Sequence, residues 1–206
     1  MDQQPVVPAS GGVPPGQPAR LALDAPLEVA NWRPLVHWLL AIPHFFILNV
    51  LGAVNGVLTF ISFFAILFTK QVPRGIFDFM VMVMRYQWRV TTFSLFMREP
   101  YPPFDFESAS EDNGNDIASL TVEYPGEVKR WLPLVKWLLA IPHFIVLIFL
   151  MLGGFFSVLI AFFAVLFTGK YPEGIRNYLI GVARWGLRVQ AYVYLLRDEY
   201  PPFSLD

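Results

Sequence analysis

Residues 35–45 read LVHWLLAIPHF and residues 134–144 read LVKWLLAIPHF, so one stretch occurs twice with a single difference. The same shift of 99 residues, without a gap, superposes FFA at 63–65 on 162–164 and YPPF at 101–104 on 200–203. A constant spacing over this length is the signature of a duplicated structural unit. We therefore expect two copies of one unit.

The distribution of apolar residues is typical of a membrane protein. Mean hydropathy is +0.49 and only 15% of the residues are charged. The apolar residues are concentrated in two blocks, 35–69 and 134–168, in which Lys136 is the only Lys, Arg, Asp or Glu. Uncharged segments of this length indicate a chain surrounded by lipid.

Charge and cysteine content exclude several function classes. The formal net charge of −1 gives no basic surface of the kind that binds polyanions, so we expect no nucleic-acid partner. With no cysteine, the chain has no disulfide, thiolate metal site or cysteine nucleophile. The motifs of phosphate-binding loops, serine hydrolases and zinc sites are missing from the sequence. We expect no catalytic residues and no cofactor.

Composition divides the chain into four segments. Residues 1–20 are rich in Pro and Gly and predict a disordered tail, 21–104 a first membrane repeat, 105–119 an acidic linker and 120–206 a second repeat. Each repeat opens with an alternating segment, at 21–24 and 120–123, which predicts a short β-strand. The two strands can pair with each other across the duplication.

Each apolar block is too long for one upright helix. About 34 residues make a helix of about 51 Å, whereas the hydrocarbon core is about 30 Å thick. Turn-type dipeptides, Asn55-Gly56 and Gly153-Gly154, lie near the middle of the blocks. The sequence therefore favours an all-α membrane fold in which each copy is a transmembrane or re-entrant helical hairpin, with one long tilted helix as the alternative.

A third helix of about 23 residues is expected after each block, and its middle carries two arginines. Because an arginine at the bilayer centre is costly, the helix is predicted to be amphipathic and to lie in the membrane interface. The arginines either bind lipid headgroups or pair with acidic residues of their own copy. The four arginines are Arg85, Arg89, Arg184 and Arg188, and the candidate acidic partners are Asp24, Glu28, Asp78, Glu99, Glu123, Glu127 and Asp198.

Lys and Arg flank both ends of each apolar block. A hairpin places all of them on one side, which the positive-inside rule identifies as the cytoplasmic side of the cell membrane, together with both termini. Tryptophans near the start of each block, and the Tyr and Phe of each YPPF segment, are expected to anchor the chain at the interface, while the two prolines end the third helix.

The two Ile-Pro-His triplets are the weak candidates for a metal site. His44 and His143 are related by the duplication, so two imidazoles facing one ion are conceivable. No carboxylate lies close in sequence, however. The favoured interpretation is structural, with the proline shaping a kink and the histidine bonding a backbone carbonyl that the kink frees.

Taken as a set, four motifs resemble a prokaryotic membrane family, the domain of unknown function numbered 4389. They are WLLAIPH, FTGKYPEG at 167–174, RWxxRV at 184–189 and YPPF, and the resemblance covers residues 20 to 205. It implies a bacterial integral membrane protein and brings no assigned activity or catalytic residue.

The sequence therefore predicts a non-enzymatic protein of the cytoplasmic membrane, either a lipid-contacting scaffold or an accessory subunit. Its expected partners are membrane lipids and either further copies of the chain or a larger membrane complex. The alternative is a small oligomeric transporter or channel, because transporter folds often arise from repeats. Few polar residues are available in the blocks to line a path.

Overall fold

The computed structural model describes residues 18–109, 111–112 and 114–206, so most of the predicted tail lies outside the described residues. Each copy contributes a strand, a long apolar helix and a shorter helix, in that order. The long helix of the first copy is divided at Ala41, whereas that of the second copy continues through Pro142. The elements are β1 (Ala19–Leu23), α1 (Arg33–Leu40), α2 (Ile42–Thr69), α3 (Arg74–Ser94), β2 (Ala118–Val122), α4 (Pro133–Thr168) and α5 (Glu173–Val193).

The predicted hairpins are wrong, because neither long helix turns back at its centre. α2 is helical throughout its 28 residues and α4 throughout its 36, so the two are about 42 and 54 Å long. A glycine permits a turn but does not impose one. In apolar surroundings a continuous helix keeps the backbone hydrogen bonds that a turn leaves unmade. The structure has the long helix that was the alternative.

The central glycines of α4 allow α5 to pack closely. A Cβ atom added at Gly153 would lie 2.9 Å from Tyr178 Oη, and one at Gly154 would lie 3.3 Å from Leu179 Cδ2. Tyr178 Oη donates a hydrogen bond to the Leu150 carbonyl at 2.8 Å. The second dipeptide is therefore a packing site, whereas Gly56 in α2 has open space where a side chain would stand.

Replacing Gly56 with alanine separates a continuous helix from a turn. In the helix, with nothing near the new Cβ, we expect Gly56→Ala to leave stability unchanged or raise it by up to about 1 kcal/mol. Thermal unfolding in detergent micelles, followed by tryptophan fluorescence, measures the change. Gly153→Ala is the matched comparison, and it should lower stability because Tyr178 must move. Marked destabilisation by Gly56→Ala would contradict the continuous helix.

The two predicted strands form one antiparallel two-stranded sheet, as the sequence indicated. Leu21 lies opposite Leu120, its equivalent in the other copy, and Ala19 lies opposite Val122, the equivalent of Leu23. Each strand therefore pairs with its own counterpart about a pseudo-twofold axis that passes between Leu21 and Leu120. Directly opposed residues point to the same face of an antiparallel pair, so this axis is perpendicular to the sheet.

Backbone bonds at the ends of the long helices follow the same symmetry. Val29 N–H donates to the Gly169 carbonyl at 2.9 Å, and its counterpart Val128 N–H donates to the Lys70 carbonyl at 2.9 Å. Lys70 and Gly169 both adopt the left-handed conformation, with φ of 59° and 68°. The start of each long helix is thus bonded to the end of the other.

The third helices form a middle layer between the sheet and the long helices. β2 packs on α3 and β1 on α5, while α3 contacts α2 and α5 contacts α4. Phe77, Val81 and Trp88 of α3 pack in one buried cluster with Leu21 and Leu120 of the sheet. The apolar side of this helix therefore faces protein and not lipid, while its position at the membrane interface stays a prediction. Its apolar side chains are covered by the sheet. The sheet and the linker also supply the partners that its arginines need.

Candidate membrane-facing surface and buried polar clusters

The outward sides of the long helices form a broad apolar surface. Only 17% of the most apolar 18-residue window of either α2 or α4 is buried. In a helix that forms the core of a soluble protein, such side chains would be covered by protein. The most exposed members include Phe46, Val57, Phe60 and Phe68 on α2 and Ile148, Phe149, Phe155 and Phe167 on α4. An exposed apolar surface of this extent requires lipid or another protein against it.

The inward side of each long helix is more polar than its outward side. His44, Asn55 and Ser62 are buried along one face of α2. In α4 the buried face contains Lys136 and His143. This is the reverse of a soluble amphipathic helix, in which the polar face is the one in water. The apolar side chains of the long helices therefore lie largely on the outside of the molecule.

Tryptophans and basic residues lie at the ends of this surface. The exposed tryptophans are Trp32, Trp38, Trp131 and Trp137. A cleft at the junction of the two copies is lined by Lys70, Lys129, Arg130 and Trp131, with Glu127. Aromatic rings beside cationic side chains are typical of the boundary between hydrocarbon and headgroups.

His44 lies in an aromatic cage that brings two of the repeated motifs together. Its ring stacks on Phe104 with the centroids 4.5 Å apart and contacts Tyr101, so the first YPPF segment covers the first Ile-Pro-His triplet. Tyr86 Oη lies 2.5 Å from His44 Nδ1. Burial raises the pKa of Tyr86 to about 12, so its hydroxyl stays protonated at neutral pH.

The second copy repeats this cage with one substitution. His143 stacks on Phe203 with the centroids 4.1 Å apart, and Trp185 Nε1 donates to His143 Nδ1 at 3.1 Å. In both copies the histidine bonds a side chain of the third helix, so the expected bond from it to a freed carbonyl is wrong. His37 contacts a backbone carbonyl of α3 instead, with Nδ1 2.9 Å from the Phe93 oxygen. Burial lowers the pKa of His37.

The described residues do not assemble a metal site around these histidines. Among them, no group of three or more His, Cys, Asp or Glu side chains is close enough to hold an ion. The cages of His44 and His143 belong to different copies and are built from aromatic rings. The role that this arrangement supports is structural, because the rings pack the YPPF segments onto the long helices.

Arg85 and Arg89 are buried and paired with the acidic linker. Arg85 Nε lies 3.3 Å from Asp112 Oδ2, and Arg89 lies 2.9 Å from Asp105 and 3.3 Å from Asp112 Oδ1. Arg85 also donates to the carbonyls of Leu120 and Ala109. These partners are not the acidic residues that the sequence singled out, because the linker folds back over α3. The geometry of Arg85 and Arg89 therefore favours the alternative in which the arginines pair with acidic residues of their own chain.

The equivalent arginines of the second copy are directed to backbone groups. Arg188 donates to the carbonyls of Ser204 and Asp206, and Arg184 Nε lies 3.5 Å from the Leu21 carbonyl oxygen. Burial lowers the pKa of both guanidinium groups. Headgroup binding by the four arginines stays a prediction.

Two further buried ion pairs were not predicted. Arg98 forms a two-bond pair with Asp116 of the linker. Lys136 Nζ lies 2.8 Å from Asp198 Oδ1 and donates to the Arg197 carbonyl at 2.7 Å. The available signal for the second pair was that Lys136 is the one charged residue in an apolar block, which requires a partner.

The described part of the chain is therefore a duplicated helical protein in which two helices are long and apolar enough to cross a membrane. A family model matches residues 31–105 and 131–204, and the chain belongs to that family, described as a domain of unknown function (DUF4389). The two matches confirm the resemblance and the tandem copies. Both strands lie before the matched segments. No curated protein and no solved structure gives a significant match.

Proposed function

We propose that this protein is a non-enzymatic, lipid-contacting scaffold or accessory subunit of the cytoplasmic membrane, with membrane lipids as its first partner. The observation that carries the proposal is the broad outward apolar surface of α2 and α4, whose buried faces hold His44, Asn55, Ser62, Lys136 and His143. The tryptophans and basic residues at the ends of this surface supply groups that suit the headgroup region. Both termini are assigned to the cytoplasmic side with these basic residues.

The inward polar residues support a scaffold over a transporter. A transport path needs polar groups that line a cavity open to water. Here His44 and His143 are enclosed by aromatic rings and by α3 or α5, and Lys136 is engaged with Asp198. These side chains connect the helices of one copy with each other.

Membrane partition of the full chain tests the proposal. We expect the protein to remain in the membrane pellet after carbonate washing and, when purified in detergent and reconstituted, to float with vesicles of phosphatidylcholine and phosphatidylglycerol. Phe60→Lys and Phe156→Lys together place two charges on the outward surface and should reduce the floated fraction severalfold. Protein that stays soluble and at the bottom of the gradient without detergent would exclude a membrane function.

A matched control separates the apolar surface from charge alone. Ser108 lies exposed in the linker, so Ser108→Lys and Glu111→Gln together add the same net charge away from the long helices. This variant should float like the unmodified chain. Copurification of lipid and protein from native membranes in mild detergent then separates a scaffold of lipid alone from a subunit of a larger complex.

A further inference from the structure

We propose that α2 and α4 lie in the plane of one leaflet, with the pseudo-twofold axis along the membrane normal, and that neither helix crosses the bilayer. The occupant of the outward apolar surface is then the acyl layer of a single leaflet. This inference rests on the proposed membrane function and adds how the protein sits in the lipid. It follows from the symmetry of the fold and the position of the charged residues.

The first step concerns the direction of the long helices. A rotation leaves the height of every atom along its axis unchanged, so Lys70 and Gly169, which are equivalent, have the same height. Val128, five residues before α4 begins, is bonded to Lys70, while Gly169 directly follows the end of α4. Both ends of a helix about 54 Å long therefore lie at similar heights. α4 is nearly perpendicular to the axis, and so is its counterpart α2.

The second step places the sheet relative to those helices. The axis passes between Leu21 and Leu120, and it also passes through the centre of the antiparallel pair of long helices. Measured along the direction of the long helices, the middle of the sheet therefore lies at the same position as the midpoints of α2 and α4. Measured along the axis, it lies on the far side of α3 and α5. If the long helices stood upright in a bilayer, the axis would lie in the membrane plane and the sheet would lie at the depth of the bilayer centre.

The third step compares the polar groups that each orientation exposes to hydrocarbon. Arg20 and Glu123 form an ion pair on the sheet with 44% and 63% of their side chains exposed. The linker beside the sheet adds the exposed residues Glu107 and Glu111. An upright orientation places these charges and the linker backbone in hydrocarbon, which is strongly unfavourable. The in-plane orientation places them in water, two layers away from the lipid.

The in-plane orientation also fits the size and the rim of the apolar surface. A helix with its side chains is about 10–12 Å across, which is less than half of a hydrocarbon core about 30 Å thick. Both ends of each helix then emerge at the same level. The basic cleft of Lys70, Lys129 and Arg130 meets anionic headgroups there, and all flanking Lys and Arg stay on one side without a hairpin.

Depth measurements along one helix distinguish the two orientations. Phe46, Val57 and Phe68 are each separated by eleven residues, about three turns, so they share the outward face of α2, and all are at least 60% exposed. Because the chain has no cysteine, single variants Phe46→Cys, Val57→Cys and Phe68→Cys carry one spin label each. Ile145→Cys, Phe156→Cys and Phe167→Cys repeat the series at the equivalent positions of α4.

We expect the three labels of a series to report the same depth in vesicles of phosphatidylcholine and phosphatidylglycerol. Collision with oxygen and with a water-soluble nickel complex measures that depth. In an upright helix the end labels would instead lie about 17 Å from the central label in opposite directions along the normal, so the central label would be the deepest. A central maximum of this kind in both series overturns the inference and leaves membrane binding intact. Labels that contact no lipid at any position overturn the proposed function itself.

Accessibility from one side provides a second measurement. Trp32→Cys and Lys70→Cys mark the two ends of the first long helix. With the protein bound to preformed vesicles, both should react with a membrane-impermeant maleimide to the same extent before detergent is added. Protection of one end until the vesicles are dissolved shows that the helix crosses, and it overturns the in-plane orientation.

Discussion

Asp112→Ala is expected to lower the free energy of unfolding by about 3–5 kcal/mol, because it removes one anion shared by two buried cations. Asp112 faces both Arg85 and Arg89, and its side chain is only 7% exposed. It also accepts backbone N–H groups from Leu120 at 3.0 Å and Gly114 at 3.1 Å. Without the carboxylate, Arg89 keeps Asp105, while Arg85 keeps the Leu120 and Ala109 carbonyls and loses its ion pair with Asp112.

Unfolding by increasing denaturing detergent in mixed micelles, followed by tryptophan fluorescence, measures this loss. Glu111→Ala, at the exposed neighbouring carboxylate, is the control and should change stability by less than about 0.5 kcal/mol. Asp112→Asn retains the shape and should fall between the two. Equal stability of the Asp112 and Glu111 alanine variants would show that the linker does not hold α3.

Lys136→Met is expected to cost about 3 kcal/mol, although it makes an apolar helix more apolar. The lysine side chain is 1% exposed and its ammonium group lies 2.8 Å from Asp198. Methionine fills a similar volume but removes the cation paired with Asp198, which keeps the Lys129 backbone N–H, and the donor to the Arg197 carbonyl. The ammonium group also lies 5.0 Å from the centre of the Tyr192 ring, a cation–π contact that is lost as well.

The control for Lys136→Met is Lys129→Met, which removes the same charge from an exposed side chain nearby. The same unfolding titration should show little change for Lys129→Met. The double variant Lys136→Met and Asp198→Leu should recover part of the loss, because a buried ion pair replaced as a whole leaves no unpaired charge. A Lys136→Met protein as stable as the parent would mean that the pair adds nothing to the join between α4 and α5.

The repeat, the strands and the long apolar helices could be predicted because each has a local signal. The shift of 99 residues assigns every residue a counterpart, and it also identified the pairing of the strands at 21–24 and 120–123. The inward or outward direction of a side chain was not readable in the same way. A helix that is apolar nearly all round gives no stripe to mark the face that protein covers.

Two of the wrong expectations, the hairpin and the acidic partners of the arginines, have a common physical origin. Asn55-Gly56 and the arginines of α3 were interpreted from their own segments, whereas their environments come from residues distant in sequence. Arg89 meets Asp105 and Asp112 only because the linker folds back over α3. The sequence around Gly153 is compatible with a turn. The continuous helix is favoured by a residue distant in sequence, Tyr178, which packs against Gly153.

Because equivalent strands pair with each other, the chain is arranged like a homodimer whose two subunits are joined in one polypeptide. Each copy leaves a strand edge and a helix end that only its sister satisfies, through the Leu21 and Leu120 pair and the bonds of Val29 to Gly169 and Val128 to Lys70. Unfolding of either half therefore leaves backbone N–H and C=O groups of the other half without their hydrogen-bond partners. The two halves must gain and lose their structure together, as subunits of an obligate homodimer do.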